Sequence, residues 1–184
     1  MTSYSRKNAR SFEAEGGKTI KIEITVNGRK HALDVSPDEK LLFILRERLH
    51  LTGTKNGCSQ GHCRACTVAM KEKEGWKAVR SCLIKTNKLD EAEILTIEGI
   101  SPNKPGDDLH PIQKAFIDKT AVQCGFCTPG MIMELFVLFE NNPSASEKEI
   151  IDALEGHLCR CTGYKPVLDA ALQAQKYTEL EKSS

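Results

Sequence analysis

Eight cysteines fall into two quartets, Cys58, Cys63, Cys66 and Cys82 in the first half of the chain and Cys124, Cys127, Cys159 and Cys161 in the second. The first reads Cys-x4-Cys-x2-Cys-x15-Cys, the second Cys-x2-Cys-x31-Cys-x1-Cys, and no cysteine is left over. Thiolates are soft, charge-donating ligands, and a [2Fe–2S] rhomb needs four of them, two per iron. Two cages that use all the sulfur point to a protein built around two iron–sulfur clusters.

The two quartets differ in how much their spacing says. The first matches the plant-type [2Fe–2S] pattern, in which three ligands share a tight loop and the fourth returns from a distant segment. Gly57 and Gly61 are expected to let that loop curl and turn its amides toward sulfur. Zinc sites favour paired C-x2-4-C knuckles, which this rhythm fits poorly. Cys124-x2-Cys127 is shared by zinc knuckles, rubredoxin-like sites and thiol redox pairs. On spacing alone, both [2Fe–2S] and zinc stand for the second quartet, although Arg160 between Cys159 and Cys161 suits an anionic site.

Other side chains attract attention and have plainer explanations. Rieske-type ligation needs two histidines per cluster, and eight cysteines leave no vacancy, so His62 and His157 read as loop residues. Trp76 reads as a sheet anchor, Phe136 and Phe139 as helix core, and Tyr164 as packing near the second quartet. Arg160 has two readings, tuning a cluster or forming a loop salt bridge.

The elements that must hold these residues follow from periodicity. Residues 19–26 alternate, with Ile20, Ile22, Ile24 and Val26 on one face; Asn27-Gly28 is a hairpin turn, and His31, Leu33 and Val35 continue on the return strand. Ser36-Pro37-Asp38 is expected to start a helix carrying Leu41, Leu42, Leu45 and Leu49 across that hairpin. Residues 67–70 and 76–79 read as strands around Gly75, and 94–97 as a last strand. The Pro- and Gly-rich stretch near residues 100–109 reads as a linker. Beyond it come four helices: 111–119; one with Thr128 as N-cap and Pro129 as first helical residue; one opened by the Ser146-x-x-Glu149 capping box and ended by Gly156; and one from about Pro166. The expected class is α+β. A polar extension, 1–17, precedes a mixed sheet with one helix over 18–99, and an all-α domain covers 110–184. Each half has a thin core, so bound metal is expected to contribute folding free energy.

With 26 Lys and Arg against 25 Asp and Glu, the chain lacks the electrostatic footprint of a nucleic-acid or anionic-membrane binder. No apolar stretch approaches the roughly 20 residues of a membrane span. The N-terminal residues carry no arginine pair and no apolar h-region, so cytoplasm is the expected compartment.

Three sequence words refine this picture: Gly57-Cys58-Ser59-Gln60-Gly61-His62-Cys63-Arg64-Ala65-Cys66, Gln123-Cys124-Gly125-Phe126-Cys127-Thr128-Pro129-Gly130, and Leu158-Cys159-Arg160-Cys161-Thr162-Gly163-Tyr164. In this order they resemble the small iron–sulfur subunit of the molybdenum hydroxylases, the xanthine dehydrogenase and aldehyde oxidoreductase family, over roughly residues 19–175. The resemblance implies a β-grasp, plant-type ferredoxin domain with a relatively exposed cluster on Cys58, Cys63, Cys66 and Cys82. It implies a four-helix-bundle domain with a buried cluster on Cys124, Cys127, Cys159 and Cys161. It further implies a large partner holding molybdopterin beside the second cluster, contacted by Gln123 and by the backbone at Cys161, and a medium FAD-binding partner facing the first. This chain would relay single electrons and convert no substrate itself. A zinc-stabilised interaction module and a free-standing two-cluster ferredoxin are the alternatives.

One position departs from many relatives in the resemblance, which have Gly where this chain has Arg64. A cation there favours the reduced, more anionic cluster. Arg64→Gly is expected to lower the midpoint potential of the first cluster in a redox titration followed by EPR; an equal or higher midpoint contradicts this.

Overall fold

The computed structural model describes residues 19–101 and 109–182. The extension 1–17 and most of the 100–109 linker lie outside them. Strands β1 (Ile20–Val26) and β2 (Arg29–Val35) pair antiparallel from Ile20↔Val35 to Val26↔Arg29. Both turn residues take positive φ, 51° at Asn27 and 75° at Gly28, the backbone twist that a two-residue hairpin requires. The Asn27 side chain also receives a bond from the Thr96 amide at 2.8 Å and donates to the Thr96 hydroxyl at 2.9 Å, clasping the turn to the chain that leaves the last strand.

Strands β3 (Thr67–Glu72) and β4 (Gly75–Arg80) form a second antiparallel hairpin, and β5 (Glu93–Leu95) joins the two, parallel to β1 and antiparallel to β3. The order is β2-β1-β5-β3-β4. Helix α1 (Leu41–Phe43), continued by the π-helical turn Ile44–Arg48, lies on one face. Leu41, Ile44 and Leu45 pack there with Ile22, Ile24, Val68 and Ile94.

The start of α1 differs from the sequence expectation. Lys40, not Ser36, is the N-cap, and no side chain caps the helix. The preceding residues are claimed by a different partner: the Leu41 amide bonds Ile84 O at 2.9 Å and the Thr86 amide bonds Glu39 O at 2.9 Å. Long-range pairing therefore outcompetes the local cap signal. The helix then widens, the Leu49 amide bonding Ile44 O at 3.0 Å, five residues back.

The second half holds α2 (Pro111–Asp118), α3 (Thr128–Asn141), α4 (Glu147–Leu154) and α5 (Lys165–Lys182). The Ser146–Glu149 capping box forms as the sequence predicts, with Ala145 and Ile150 buried at either side. Helix α3 begins one residue early: Cys127 is the N-cap, and Thr128 and Pro129 are already helical.

The two halves share apolar surface. Alternate residues of β3 serve opposite faces: Val68 packs with α1, while Ala69 packs with the helices, joined by Trp76, Ala78, Leu95 and Ile97. Trp76 stands edge-on to Phe136 of α3, ring centroids 6.1 Å apart. Asn141, at the end of α3, accepts from the Trp76 amide at 3.2 Å and donates to its carbonyl at 2.6 Å. Thus α3 roofs the sheet on the side α1 leaves open. Phe136 is 8% exposed, so Phe136→Ala is expected to cost about 3–5 kcal/mol. Because its partner Trp76 is the only tryptophan, unfolding by fluorescence and by far-UV circular dichroism should shift together. A shift in helix signal alone would mean that the halves unfold independently.

Candidate metal centres

The first three cysteines lie on the loop between α1 and β3, and Cys82 follows β4 directly. Cys66 and Cys82 are buried beside Leu42, whereas Cys58 and Cys63 are half-buried. The Cys66 carbonyl is held by the amide and hydroxyl of Ser81, at 3.2 and 2.8 Å, which fixes the fourth ligand's segment against the loop. Amides of Gln60 and Cys63 both point at the Cys58 sulfur from 3.4 Å. These backbone donors, Cys63 first, bring the Cys58 thiol down to about 6. Burial, followed by the adjacent Cys66 thiol, pushes Cys82 up to about 12. Burial also raises Cys63. Of the two glycines singled out from sequence, Gly61 has φ of 77°, and Gly57 provides room: a Cβ there would sit 2.7 Å from the Cys63 sulfur.

The second quartet is assembled from two helix boundaries. Cys124 and Cys127 lead into α3, and Cys159 and Cys161 lie between α4 and α5. The Cys161 and Cys124 sulfurs approach to 3.5 Å. Burial, then the neighbouring Cys159, raises Cys127 to about 12. Burial is likewise the largest single influence on Cys159, but the Thr162 hydroxyl at 3.2 Å and amide at 3.5 Å, with the Cys161 amide, outweigh it and bring that thiol to about 7. The Phe126 amide and Cys161 lower Cys124, and Cys124 in turn raises Cys161.

In both quartets the largest influence of one thiol on another runs within a pair, Cys58 on Cys63 and Cys66 on Cys82, then Cys124 with Cys161 and Cys159 on Cys127, with weaker influences between the pairs. Among the described residues no three or more of His, Cys, Asp and Glu are gathered to hold a single metal ion. A tetrahedral ion would draw four sulfurs to one point, whereas a diiron rhomb takes two at each end. The donor set, the pairing and the inward amides fit a [2Fe–2S] cluster at each place.

Taken by itself, the chain leaves the second quartet the more exposed of the two, although Cys127 is buried. Cys124 and Cys161 are exposed, as are Gln123 and Arg160, while the first quartet has two buried members. Phe126 and Leu158, 46% and 61% exposed, stand beside the second quartet. The described residues of this chain do not supply its cover. Tyr164 does pack there, its hydroxyl accepting from the Cys159 amide at 2.9 Å.

The two cysteine loops meet. The Leu158 amide donates to the Cys63 carbonyl at 3.3 Å. Gly130, in the first turn of α3, lies so close to the first loop that a Cβ would be 2.6 Å from the Arg64 carbonyl oxygen. Phe126 reaches Gly57, and Arg64 reaches Gly156. His157 is a loop residue as expected, and it is buried, its Nε2 3.1 Å from Glu134 of α3. Sequence reasoning passed over Phe126, Thr162 and Glu134. Thr162 directly follows the Cys-Arg-Cys word and could have been flagged as a local hydroxyl donor; the other two have no local signal.

Comparison with known proteins agrees with this geometry. Residues 24–96 match the 2Fe-2S iron-sulfur cluster binding domain and residues 96–172 the [2Fe-2S] binding domain. The chain is 44% identical over 155 residues to the nicotine 6-hydroxylase small subunit of Paenarthrobacter nicotinovorans, covering 84% of this chain and 89% of that one. It is 42% identical over 156 residues to aldehyde oxidase 2 of Mus musculus, of which it spans 11% while 81% of this chain is covered. Among solved structures, quinoline 2-oxidoreductase from Pseudomonas putida 86 superposes with a TM-score of 0.78 at 34% identity, covering 89% of this chain and 98% of that one. The aldehyde oxidoreductase from Desulfovibrio desulfuricans ATCC 27774 gives 0.79 at 41% identity, covering 88% of this chain and 17% of that one. With both cluster-binding modules in one short polypeptide, and a likeness to a hydroxylase small subunit that runs nearly end to end, this chain belongs to the family of small [2Fe–2S] iron–sulfur subunits of the molybdenum hydroxylases.

Proposed function

We propose that this chain is the electron-transfer subunit of a multi-subunit molybdenum hydroxylase, relaying single electrons between a molybdopterin centre on a large partner and a flavin or other acceptor. The observation that carries the reading is the meeting of two paired-thiol cages across one backbone joint, with the Leu158 amide on the Cys63 carbonyl. A [2Fe–2S] cluster, when bound, supplies a one-electron couple.

The residues have distinct tasks. Cys58, Cys63, Cys66 and Cys82 hold one cluster, and Cys124, Cys127, Cys159 and Cys161 hold the other. Amides of Gln60 and Cys63 and of Thr162 stabilise thiolate charge on the ligands they reach. Cys63, Leu158 and Cys159 connect the cages through covalent bonds and a single hydrogen bond. The large partner covers the exposed second quartet, and Gln123, exposed next to Cys124, contacts its pterin. The first quartet faces a medium FAD-binding partner. The finer architecture follows the resemblance: a ferredoxin-like unit over 18–99 and a four-helix bundle over 110–184. Among the described residues no helix is long and apolar enough to cross a membrane.

Anaerobically purified protein is expected to contain four irons and four acid-labile sulfides per chain and to absorb in the visible; colourless protein with two zinc ions would overturn the proposal. Co-purification of larger subunits separates a subunit from a free-standing ferredoxin. Gly130→Ala tests the joint: the added methyl meets the Arg64 carbonyl at 2.6 Å, and neither backbone can step aside, an overpacking cost of about 1–3 kcal/mol. Iron content and the EPR signal of the first cluster should fall although residue 130 belongs to the other half. Loss confined to the second cluster would contradict this role.

A further inference from the structure

Arg64 carries a positive charge from one cysteine loop to the other. Its backbone takes φ of 56°, uncommon for a long side chain. A Cβ built on Gly156 would lie 2.9 Å from its Nε, 3.0 Å from Cζ and 3.1 Å from Nη2, so the guanidinium covers Gly156. Gly156 stands just past the C-cap of α4, Glu155, where the helix end favours a cation. None of the ion pairs among the described residues involves Arg64. Among the described residues no carboxylate lies within ion-pair distance of it, which leaves the charge available to nearby anions.

Those anions belong to both cages. Arg64 is bonded directly to Cys63, and Gly156 precedes Cys159 by three residues, a span that cannot exceed about 11 Å even when extended. The Leu158 amide on the Cys63 carbonyl pins the two segments together. A charge at this joint lies close to two sites that each gain negative charge on reduction, in surroundings more weakly screened than bulk water.

Resting on the cluster assignment above, we infer that Arg64 is a single charge shared by both cluster sites, favouring the electron-bearing form of each and tying their potentials together. It extends the effect expected at the first cluster to one whose first ligand, Cys124, lies 60 residues later in the sequence. It acts through space and through its seat on Gly156, and it ligates nothing.

The test is a redox titration, followed by EPR, of the full chain loaded with iron and sulfide. Arg64→Asn removes the charge while keeping a residue that tolerates positive φ. Both midpoints should fall, so that at a fixed potential the ratio of reduced to oxidised cluster drops about three- to tenfold at each site. Arg64→Lys should restore part of both shifts. Gly156→Ala leaves residue 64 intact but pushes the guanidinium off its seat, and should lower the second midpoint more than the first. An unmoved second midpoint in Arg64→Asn with full iron content overturns the inference, as does an equal fall in the Asn and Lys variants. If Arg64→Asn loses its iron, Gly156→Ala decides alone, and an unmoved second midpoint there overturns the inference. A wild-type chain without two [2Fe–2S] signals refutes the cluster assignment and this inference with it, whereas two wild-type signals with an unmoved second midpoint refute this inference alone.

Discussion

The contact on which the rest depends is the approach of backbone to backbone where Gly130 meets Arg64 and Ala65. Any side chain at 130 would force apart α3 and the first cysteine loop, and with them the neighbouring joint between Cys63 and Leu158. Close packing makes this a sharp constraint, since interiors have little free volume to absorb a methyl group. The constraint also explains why α3 is apolar almost all round. Met131, Ile132, Met133, Leu135, Phe136 and Phe139 are all buried because this helix faces the sheet on one side and other helices on another.

Within each quartet the thiols are unequal, and the inequality follows burial and backbone donors. Cys58 near the surface sits at about 6 with two amides aimed at it, whereas Cys82 behind it is pushed to about 12 by burial and by Cys66. Cys159, at about 7, and Cys127, at about 12, repeat the contrast in the second quartet. Each cage therefore combines a thiol that ionises easily with one that resists ionisation. Ligation must displace protons from the raised members, and so couples metal loading to pH, with affinity rising as pH rises. Cationic iron then removes the reason these buried thiols resist ionisation, so the folded cage is most stable when filled.

What sequence revealed and what it hid divide along the range of the interaction. The β1–β2 hairpin was legible because Asn27-Gly28 and the alternation of Ile22, Ile24 and Val26 act within a few residues, and so was the Ser146–Glu149 box. The start of α1 was not, because residues 39–41 are recruited by 84–86, which no local pattern announces. The eight cysteines were legible by type and spacing, but the approach of Cys124 to Cys161 and the outward position of both arise only once the loops are folded together. The seat of Arg64 on Gly156 was invisible for the same reason.

The first turn of α3 serves both cages at once. Cys127 is its N-cap and belongs to the second quartet, while Gly130, three residues on, supports the first loop. A helix N-terminus carries partial positive charge, which favours an anionic sulfur cage at that end. The far end of the same helix is fastened to the sheet by Asn141 and by Phe136 against Trp76. A rigid rod anchored in this way leaves the two cysteine loops little freedom to drift relative to each other. The contacts that stabilise the fold are then the same contacts that fix the separation and shared electrostatics of the two sites, and a mutation cannot loosen one without disturbing the other.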